Sequence, residues 1–385
     1  MKKLTVWGLL ILSLAAACTK DPGPENPVEP KKYALKELAQ MTLREKVGQL
    51  FNVRVESLVP GASGSVTGGS EALTDFFRKY PCGGVTLFAA NITYPYQTTV
   101  FTEYLHGLDN YPLICVDEEG GRVARIGRNT YFPVSRVGTM ASVGATGDPQ
   151  KAKEAGSTIG EYLFRYGFDM DLAPVSDVNT NPDNVVIGDR AFGSSPELVG
   201  SMVEAFLAGL KQQKVEGCLK HFPGHGDTST DSHYGYAESL KTWEELSGCE
   251  MIPFRAGISA GAKMIMTAHV CLPNVTGSST PSTLSPMVLT EILRGRLGYQ
   301  GIIITDSMEM GAITQQYTNE EATLLALEAG VDILLTPQDY PKAFDAVMKA
   351  VEDKRISVQM IDERVSRILA LKKELLISRD LYKEM

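Results

Sequence analysis

Residues 301–311, GIIITDSMEMG, begin with a glycine and three isoleucines. Thr305 comes next, and a carboxylate, Asp306, follows it directly. A short apolar run bounded by a glycine is typical of a buried strand in a parallel sheet. Segments of helical period, such as 197–212 and 362–375, separate runs of this kind. Seven further runs share the pattern: residues 47–55, 83–91, 112–121, 168–178, 217–226, 262–270 and 331–337. Eight strands that alternate with helices predict a (β/α)8 TIM barrel.

The length of 385 residues fits one such barrel or two ordinary domains. A doubly wound open sheet is the alternative α/β architecture, but it usually has fewer strands and a glycine-rich phosphate turn after the first strand. The sequence has no such turn after residues 47–55. We therefore expect a single catalytic α/β domain over residues 33–385.

The charge of the chain argues against a nucleic-acid partner. The formal net charge is −9, and no run of Lys or Arg stands out. Phosphate backbones attract basic surfaces, so a neutral or cationic ligand fits this composition better.

The first 18 residues have the composition of an export signal. Two lysines precede a short apolar run and small residues that end at Cys18, a pattern too short for a membrane span. The pattern resembles a bacterial lipoprotein signal, although Ala15 stands where leucine is usual. Cys18 would then be lipidated, residues 19–32 would be a Pro-rich tether, and the protein would be anchored to the outer membrane, on its periplasmic or surface face. Cleavage by ordinary signal peptidase is the alternative.

The remaining cysteines predict no disulfide framework. Five of them follow Cys18, which is an odd number, and the sequence has no CxxC pair. Cys115 and Cys218 lie inside apolar runs, so we expect reduced thiols in the core.

Polar side chains follow several of the predicted strands. In a barrel these strand ends and the loops after them form the active face, so the side chains are expected to converge on one pocket. Each alone is more simply a cap or a turn former, but together they favour a site. They are Asp117, Asp177, Lys220, His221, His269 and Asp306.

Asp306 and residues 220–233, KHFPGHGDTSTDSH, offer a nucleophile and a proton donor. A carboxylate at a strand end can attack the anomeric carbon of a sugar. Asp231 and His233 are two residues apart, so on an extended segment both side chains project to the same side and can hydrogen-bond. Such a pair fixes the imidazole tautomer and suits proton transfer near neutral pH.

Other polar residues are candidates for substrate binding. Lys220 and His221 are adjacent on a strand, so both face the pocket only if a bulge intervenes. A carboxylate such as Asp177 would suit Lys220, because a buried lysine needs a partner. Asp117 could accept two sugar hydroxyls, and Arg125 and Arg190 could hold hydroxyl or carbonyl oxygens. A surface salt bridge is the simpler interpretation of each.

A metal site is the rival interpretation of the same loop. Three histidines and two aspartates supply ligands that zinc and other transition metals prefer. The residues FPG between His221 and His225 exclude a helix, so the two would not share a helical face. The hypothesis of a metal site in this loop stays open. Its ligands would be His221, His225, Asp227, Asp231 and His233.

The long motif at 220–233, with DEEGGRVARI before it and ITDSMEMGAI after it, resembles the glycoside hydrolase family 3 β-N-acetylglucosaminidases that act on peptidoglycan fragments. The resemblance covers about residues 38–375 and implies a barrel in the single-domain form that needs no cofactor. By this resemblance Asp306 is the nucleophile and His233 with Asp231 the acid/base dyad. It places the ring-binding contacts at Asp117, Arg125, Arg190, Lys220 and His221.

The expected activity is therefore that of a retaining exo-β-N-acetylglucosaminidase with a carbohydrate substrate and no metal. A β-glucosidase or β-xylosidase on the same fold is the first alternative. A sugar-binding lipoprotein without activity is a second alternative. A histidine acid/base carries less negative charge than a glutamate, so hydrolysis and phosphorolysis are both open.

Overall fold

The computed structural model describes residues 32–228 and 237–382. Eight parallel strands form one sheet. An isolated parallel bridge between Ile304 and Ile333 joins the two end strands. The predicted (β/α)8 barrel is confirmed. Its strands, in their spatial order in the sheet, are β10 Leu334–Leu335, β1 Phe51–Arg54, β2 Gly84–Thr86, β3 Leu113–Val116, β4 Met170–Asp171, β5 Glu216–Phe222, β7 Met264–Thr267 and β9 Ile302–Ile304.

Every barrel strand lies inside one of the predicted apolar runs, or begins one residue before it, but most strands are shorter than the runs. In residues 301–311 the strand ends at Ile304, and Asp306 already belongs to the loop. The backbone leaves the ladder there, which frees the polar residues for the site. A second sheet of β6 Ala237–Glu238 and β8 Val270–Cys271 lies outside the barrel order and was not predicted.

Helices follow the strands and cover the barrel. Both helices predicted by apolar spacing are present, and α6 shows why it forms: Ser195 caps it, Pro196 occupies its first turn, and Val199, Val203 and Phe206 are buried at helical spacing. The α-helices are α1 Leu43–Gln49, α2 Glu71–Lys79, α3 Pro95–His106, α4 Met140–Gly144, α5 Pro149–Arg165, α6 Pro196–Gln212, α7 Trp243–Gly248, α8 Met251–Ser259, α9 Pro273–Thr276, α10 Gly311–Thr314, α11 Asn319–Ala329, α12 Tyr340–Glu352 and α13 Val358–Ser378. A π-helical segment spans Met287–Arg296.

Cys115 and Cys218 are buried free thiols, in the core where the sequence placed them. Between residues 32 and 228 and between 237 and 382, no helix has both the length and the apolar content that crossing a bilayer requires.

Candidate active site

A cavity of about 510 Å³ opens at the carboxyl ends of the barrel strands. The five predicted substrate-binding residues and Asp306 all line it, although they come from loops far apart in the chain. Their convergence is what a barrel predicts for polar residues after strands. The charged and polar groups of the lining include Arg54, Asp117, Glu119, Arg125, Arg190, Lys220, His221, His225, Asp306 and Glu309.

Lys220 lies at the centre of the charged lining. Its Nζ is 2.8 Å from Asp117 Oδ1 and 2.6 Å from Glu119 Oε1. Burial lowers the pKa of Lys220, but the two carboxylates outweigh burial and raise it above its ordinary value. The suggested pairing of Lys220 with Asp177 is wrong, because the carboxylate of Asp177 pairs with the imidazole of His221.

Glu119 was missed by the sequence analysis. Its two oxygens accept a bidentate pair from Arg190, with Nε and Nη2 each at 2.8 Å. Burial raises the pKa of Glu119, but Lys220 and then Arg190 outweigh it and lower the pKa far below its usual range. The sequence DEE at residues 117–119 contained a signal for it. Asp117 and Glu119 are two residues apart, and an extended backbone points both side chains to the same side.

Glu118, between them, holds the next loop. Its carboxylate accepts hydrogen bonds from the backbone N–H groups of Arg125 at 2.6 Å, Ile126 at 2.9 Å and Gly127 at 2.7 Å. The loop carries Arg125 to the cavity, where its Nη2 is 3.4 Å from Asp117 Oδ2. Within the described ranges, Arg125 Nε is buried without a hydrogen-bond partner. This donor therefore suits a ligand oxygen.

His221 reaches the cavity because β5 is irregular. The pairing of β5 with β7 shifts register between Leu219 and Phe222, so both Lys220 and His221 line the cavity, as a bulge would allow. His221 Nδ1 lies 2.7 Å from Asp177 Oδ2. Burial raises the pKa of Asp177, but His221 outweighs it and lowers the pKa. Asp177 lies beneath the site and orients this imidazole without lining the cavity.

Asp306 presents its carboxylate to the cavity, with Oδ1 2.7 Å from the Ser307 N–H that donates to it. Burial raises its pKa, but His221 first and then His269 outweigh burial and lower it below the ordinary value. Asp306 is therefore ionised at neutral pH, as a nucleophile must be.

His269 supports this loop from below the cavity. Its Nε2 donates to the Ser307 carbonyl at 2.9 Å, and its Nδ1 lies 2.8 Å from Thr283 Oγ1. Although His269 follows a strand, it is fully buried and holds the backbone beside Asp306 instead of lining the cavity.

Asp231, His233 and Cys18 lie outside the described residues, so their predicted roles stay predictions. In the described ranges, no three His, Cys, Asp or Glu side chains group closely enough to hold a metal ion. Because two of the five suggested ligands are outside those ranges, this observation leaves the metal hypothesis open.

Comparison with known proteins agrees with the geometry. The family described as "Glycosyl hydrolase family 3 N terminal domain" matches residues 42–371. β-Hexosaminidase A of Pseudoalteromonas piscicida is 35% identical over 333 residues, which make up 79% of this chain and 55% of that protein. The β-hexosaminidase LpqI of Mycobacterium tuberculosis is 31% identical over 361 residues, 91% of this chain and 87% of LpqI.

A solved structure gives the same result for the fold. The glycoside hydrolase family 3 β-N-acetylglucosaminidase from Paenibacillus sp. str. FPU-7 superposes with a TM-score of 0.81 at 37% identity, over 88% of this chain and 63% of that one. The chain thus spans less than two thirds of two of these three relatives. With a matching family over most of its length and the same barrel, the chain belongs to glycosyl hydrolase family 3, a family of glycosidases.

Proposed function

We propose that the protein is a retaining exo-β-N-acetylglucosaminidase. The observation that carries the proposal is Asp306, an ionised carboxylate in a cavity that is also lined by charged hydrogen-bonding groups such as Asp117, Arg125 and Lys220. A pocket at the end of a barrel, lined by hydrogen-bonding groups, suits the terminal residue of a sugar chain, and the relatives named β-hexosaminidase support an N-acetylhexosamine as that residue.

In the first chemical step, an oxygen of Asp306 forms a bond to the anomeric carbon while the bond from that carbon to the glycosidic oxygen breaks. His233 gives its proton to the departing oxygen, and Asp231 holds the imidazole. In the second step, water attacks the same carbon, passes a proton to His233 and releases Asp306 as a carboxylate. Two displacements at one carbon retain its β configuration.

The charged wall has the groups to hold the ring of the terminal sugar. Asp117 accepts hydrogen bonds from hydroxyl groups, and its position is set by Lys220 and Arg125. Arg125 Nε is a buried donor that needs an oxygen acceptor. Since Asp306 forms the covalent bond, the acetamido group of the sugar serves for recognition and not as the nucleophile.

The substrate specificity and the stereochemistry are tested together. Initial rates on 4-nitrophenyl β-N-acetylglucosaminide and on the matching β-glucoside and β-xyloside should favour the first, and the first anomer seen by NMR should be β. Faster cleavage of the β-glucoside or the β-xyloside, or an α product formed first, contradicts the proposal.

Two additions to the same assay test the remaining alternatives. Added phosphate, with detection of the sugar 1-phosphate, decides between hydrolysis and phosphorolysis. Added EDTA tests the metal hypothesis and should leave the rate unchanged.

We further propose that the natural substrate is a peptidoglycan fragment and that the protein is an exported lipoprotein anchored through Cys18. The motif resemblance and the composition of residues 1–18 support these two points. Labelled palmitate should enter the wild-type chain in cells and should not enter the Cys18→Ala variant. Equal labelling of both would contradict the anchor.

A further inference from the structure

Two loops at the active face carry three strongly exposed tyrosines. Tyr94 is 50% exposed, and Tyr96 and Tyr131 are each 75% exposed. Tyr94 is the cap of α3 and Tyr96 lies in its first turn, after β2, while Tyr131 lies in the loop after β3. Exposed aromatic side chains that occur together often mark a binding surface.

The two loops are joined to each other by Asn129. Its Nδ2 donates to the carbonyl oxygens of Ile92 at 2.9 Å and Thr93 at 3.1 Å. Its Oδ1 accepts the backbone N–H of Tyr131 at 3.0 Å. One side chain thus ties the backbone of Tyr131 to the residue that precedes Tyr94, so the tyrosines belong to one surface.

The two loops that carry the tyrosines also supply part of the cavity wall. Phe88, in the loop after β2, and Val123 and Arg125, in the loop after β3, line the cavity wall. The same two loops therefore run from the cavity to the exposed tyrosines. Another exposed apolar side chain, Ile377, lies near the end of α13. Arg379, just beyond it, donates to the carbonyls of Phe168 and Lys214, before β4 and β5, so this is the opposite end of the barrel.

We propose that Tyr94, Tyr96 and Tyr131 form a tyrosine platform that binds the sugars on the leaving side of a β-linked oligosaccharide. This inference rests on the proposed function. With the terminal sugar in the cavity and its anomeric carbon at Asp306, the rest of the chain must leave through the mouth. The C–H face of a β-linked pyranose is apolar, and it matches an exposed aromatic ring at little cost in side-chain entropy. The family resemblance assigns no role to these residues.

The test compares a long and a short substrate. In the full-length chain, the triple variant Tyr94→Ala/Tyr96→Ala/Tyr131→Ala should lower kcat/KM for the β-1,4-linked tetramer of N-acetylglucosamine by about tenfold, mainly through KM. The rate on 4-nitrophenyl β-N-acetylglucosaminide should stay within about twofold. The matching triple phenylalanine variant should retain the wild-type ratio of the two rates, because stacking needs the ring and not the hydroxyl.

The controls separate this inference from the proposed function. Ile377→Ala removes another exposed apolar side chain, at the far end of the barrel, and should change neither rate. If wild type cleaves neither substrate, the proposed function fails, and calorimetric titration of the tetramer still tests the platform. Equal losses on both substrates, or tetramer binding unchanged by the alanine variant, would overturn the platform. Loss of binding to phosphatidylethanolamine vesicles with unchanged tetramer kinetics would assign the tyrosines to a membrane surface instead.

Discussion

Lys220 Nζ lies 2.6 Å from Glu119 Oε1, and the two side chains are only 2% and 1% exposed. A buried ion pair of this kind contributes little net stability, but removal of one partner leaves an uncompensated charge in a medium of low dielectric constant. The pair joins the loop after β3 to β5 within the cavity lining, with Arg190 as a second cation on the same carboxylate. Its main effect is to hold Lys220 and Arg190 in place in the cavity lining.

We expect Glu119→Gln to lower the free energy of unfolding by about 3–5 kcal/mol, because two buried cations lose their shared carboxylate. Urea unfolding followed by circular dichroism measures this loss. Glu309→Gln is the matched control, since Glu309 pairs with Arg54 at the partly exposed rim and its loss should cost under about 1 kcal/mol. Equal stability of Glu119→Gln and wild type would show that Asp117 alone compensates Lys220.

Asp306→Ala should lower turnover by about 10⁴-fold or more and leave the fold intact, since the covalent step loses its nucleophile. The measurement is kcat on the aryl N-acetylglucosaminide, with circular dichroism as the check on folding. Asp353→Ala removes an exposed carboxylate that pairs with Lys349 on the outer helix α12 and should keep full activity. Rates like those of wild type would remove Asp306 from the mechanism.

The pH dependence of kcat/KM should report the lowered pKa of Asp306. Because the pKa is lowered, the carboxylate stays ionised below its usual value of about 3.9, and activity falls only as the pH drops through the lowered pKa. His221→Asn removes the strongest of the groups that lower this pKa, so the acid limb should move up by about one pH unit. An acid limb at the same pH in both proteins would mean that it belongs to another group.

His233→Ala should slow substrates with poor leaving groups far more than it slows the nitrophenyl glycoside, because nitrophenolate departs with little help from a proton. A series of aryl glycosides with leaving groups of increasing pKa measures this as a steeper dependence of kcat/KM on leaving-group pKa. Replacement of His106, which is buried against Asp169 and far from the cavity lining, should leave the slope unchanged. Equal losses across the series would assign His233 another role.

Asp169 should make the fold sensitive to acid. Its carboxylate accepts hydrogen bonds from Arg379 at 2.7 Å, and His106 Nε2 lies 2.8 Å from it. Burial raises its pKa, but His106 and Arg379 outweigh burial and lower it, so the unfolded chain binds the proton more tightly. This stabilisation is complete above the unfolded pKa of about 3.9 and is lost as the pH falls through the lower, folded pKa.

Asp169→Asn should therefore be several kcal/mol less stable than wild type at pH 7, and the difference should shrink as the pH falls below about 4. Urea midpoints at several pH values measure this convergence. The exposed pair of Lys151 and Glu154 supplies the control, since Glu154→Gln should change stability little at any pH. A constant difference across the range would show that the network acts by packing and not by charge.

The barrel and most of the ionisable groups that line the cavity could be predicted from the sequence, because both depend on local patterns. Apolar runs define buried strands, and parallel strands bring their carboxyl ends to one face, so Asp117, Lys220 and Asp306 had to converge. Which of these polar groups would pair with one another was not predictable, since pairing depends on side-chain directions across neighbouring strands.

Only the tertiary structure decided which basic side chain each buried carboxylate pairs with. Glu119 pairs with both Lys220 and Arg190, whereas Asp177 pairs with His221. A buried charge pairs with the opposite charge that the backbone places within reach. The register shift in β5 brings both Lys220 and His221 to the cavity, and this placement decided which carboxylate each of them meets. The sequence by itself determined that polar residues after the strands come to the active face of the barrel. The packing of the strands decided which of them line the cavity and which, like Asp177 and His269, support it from below.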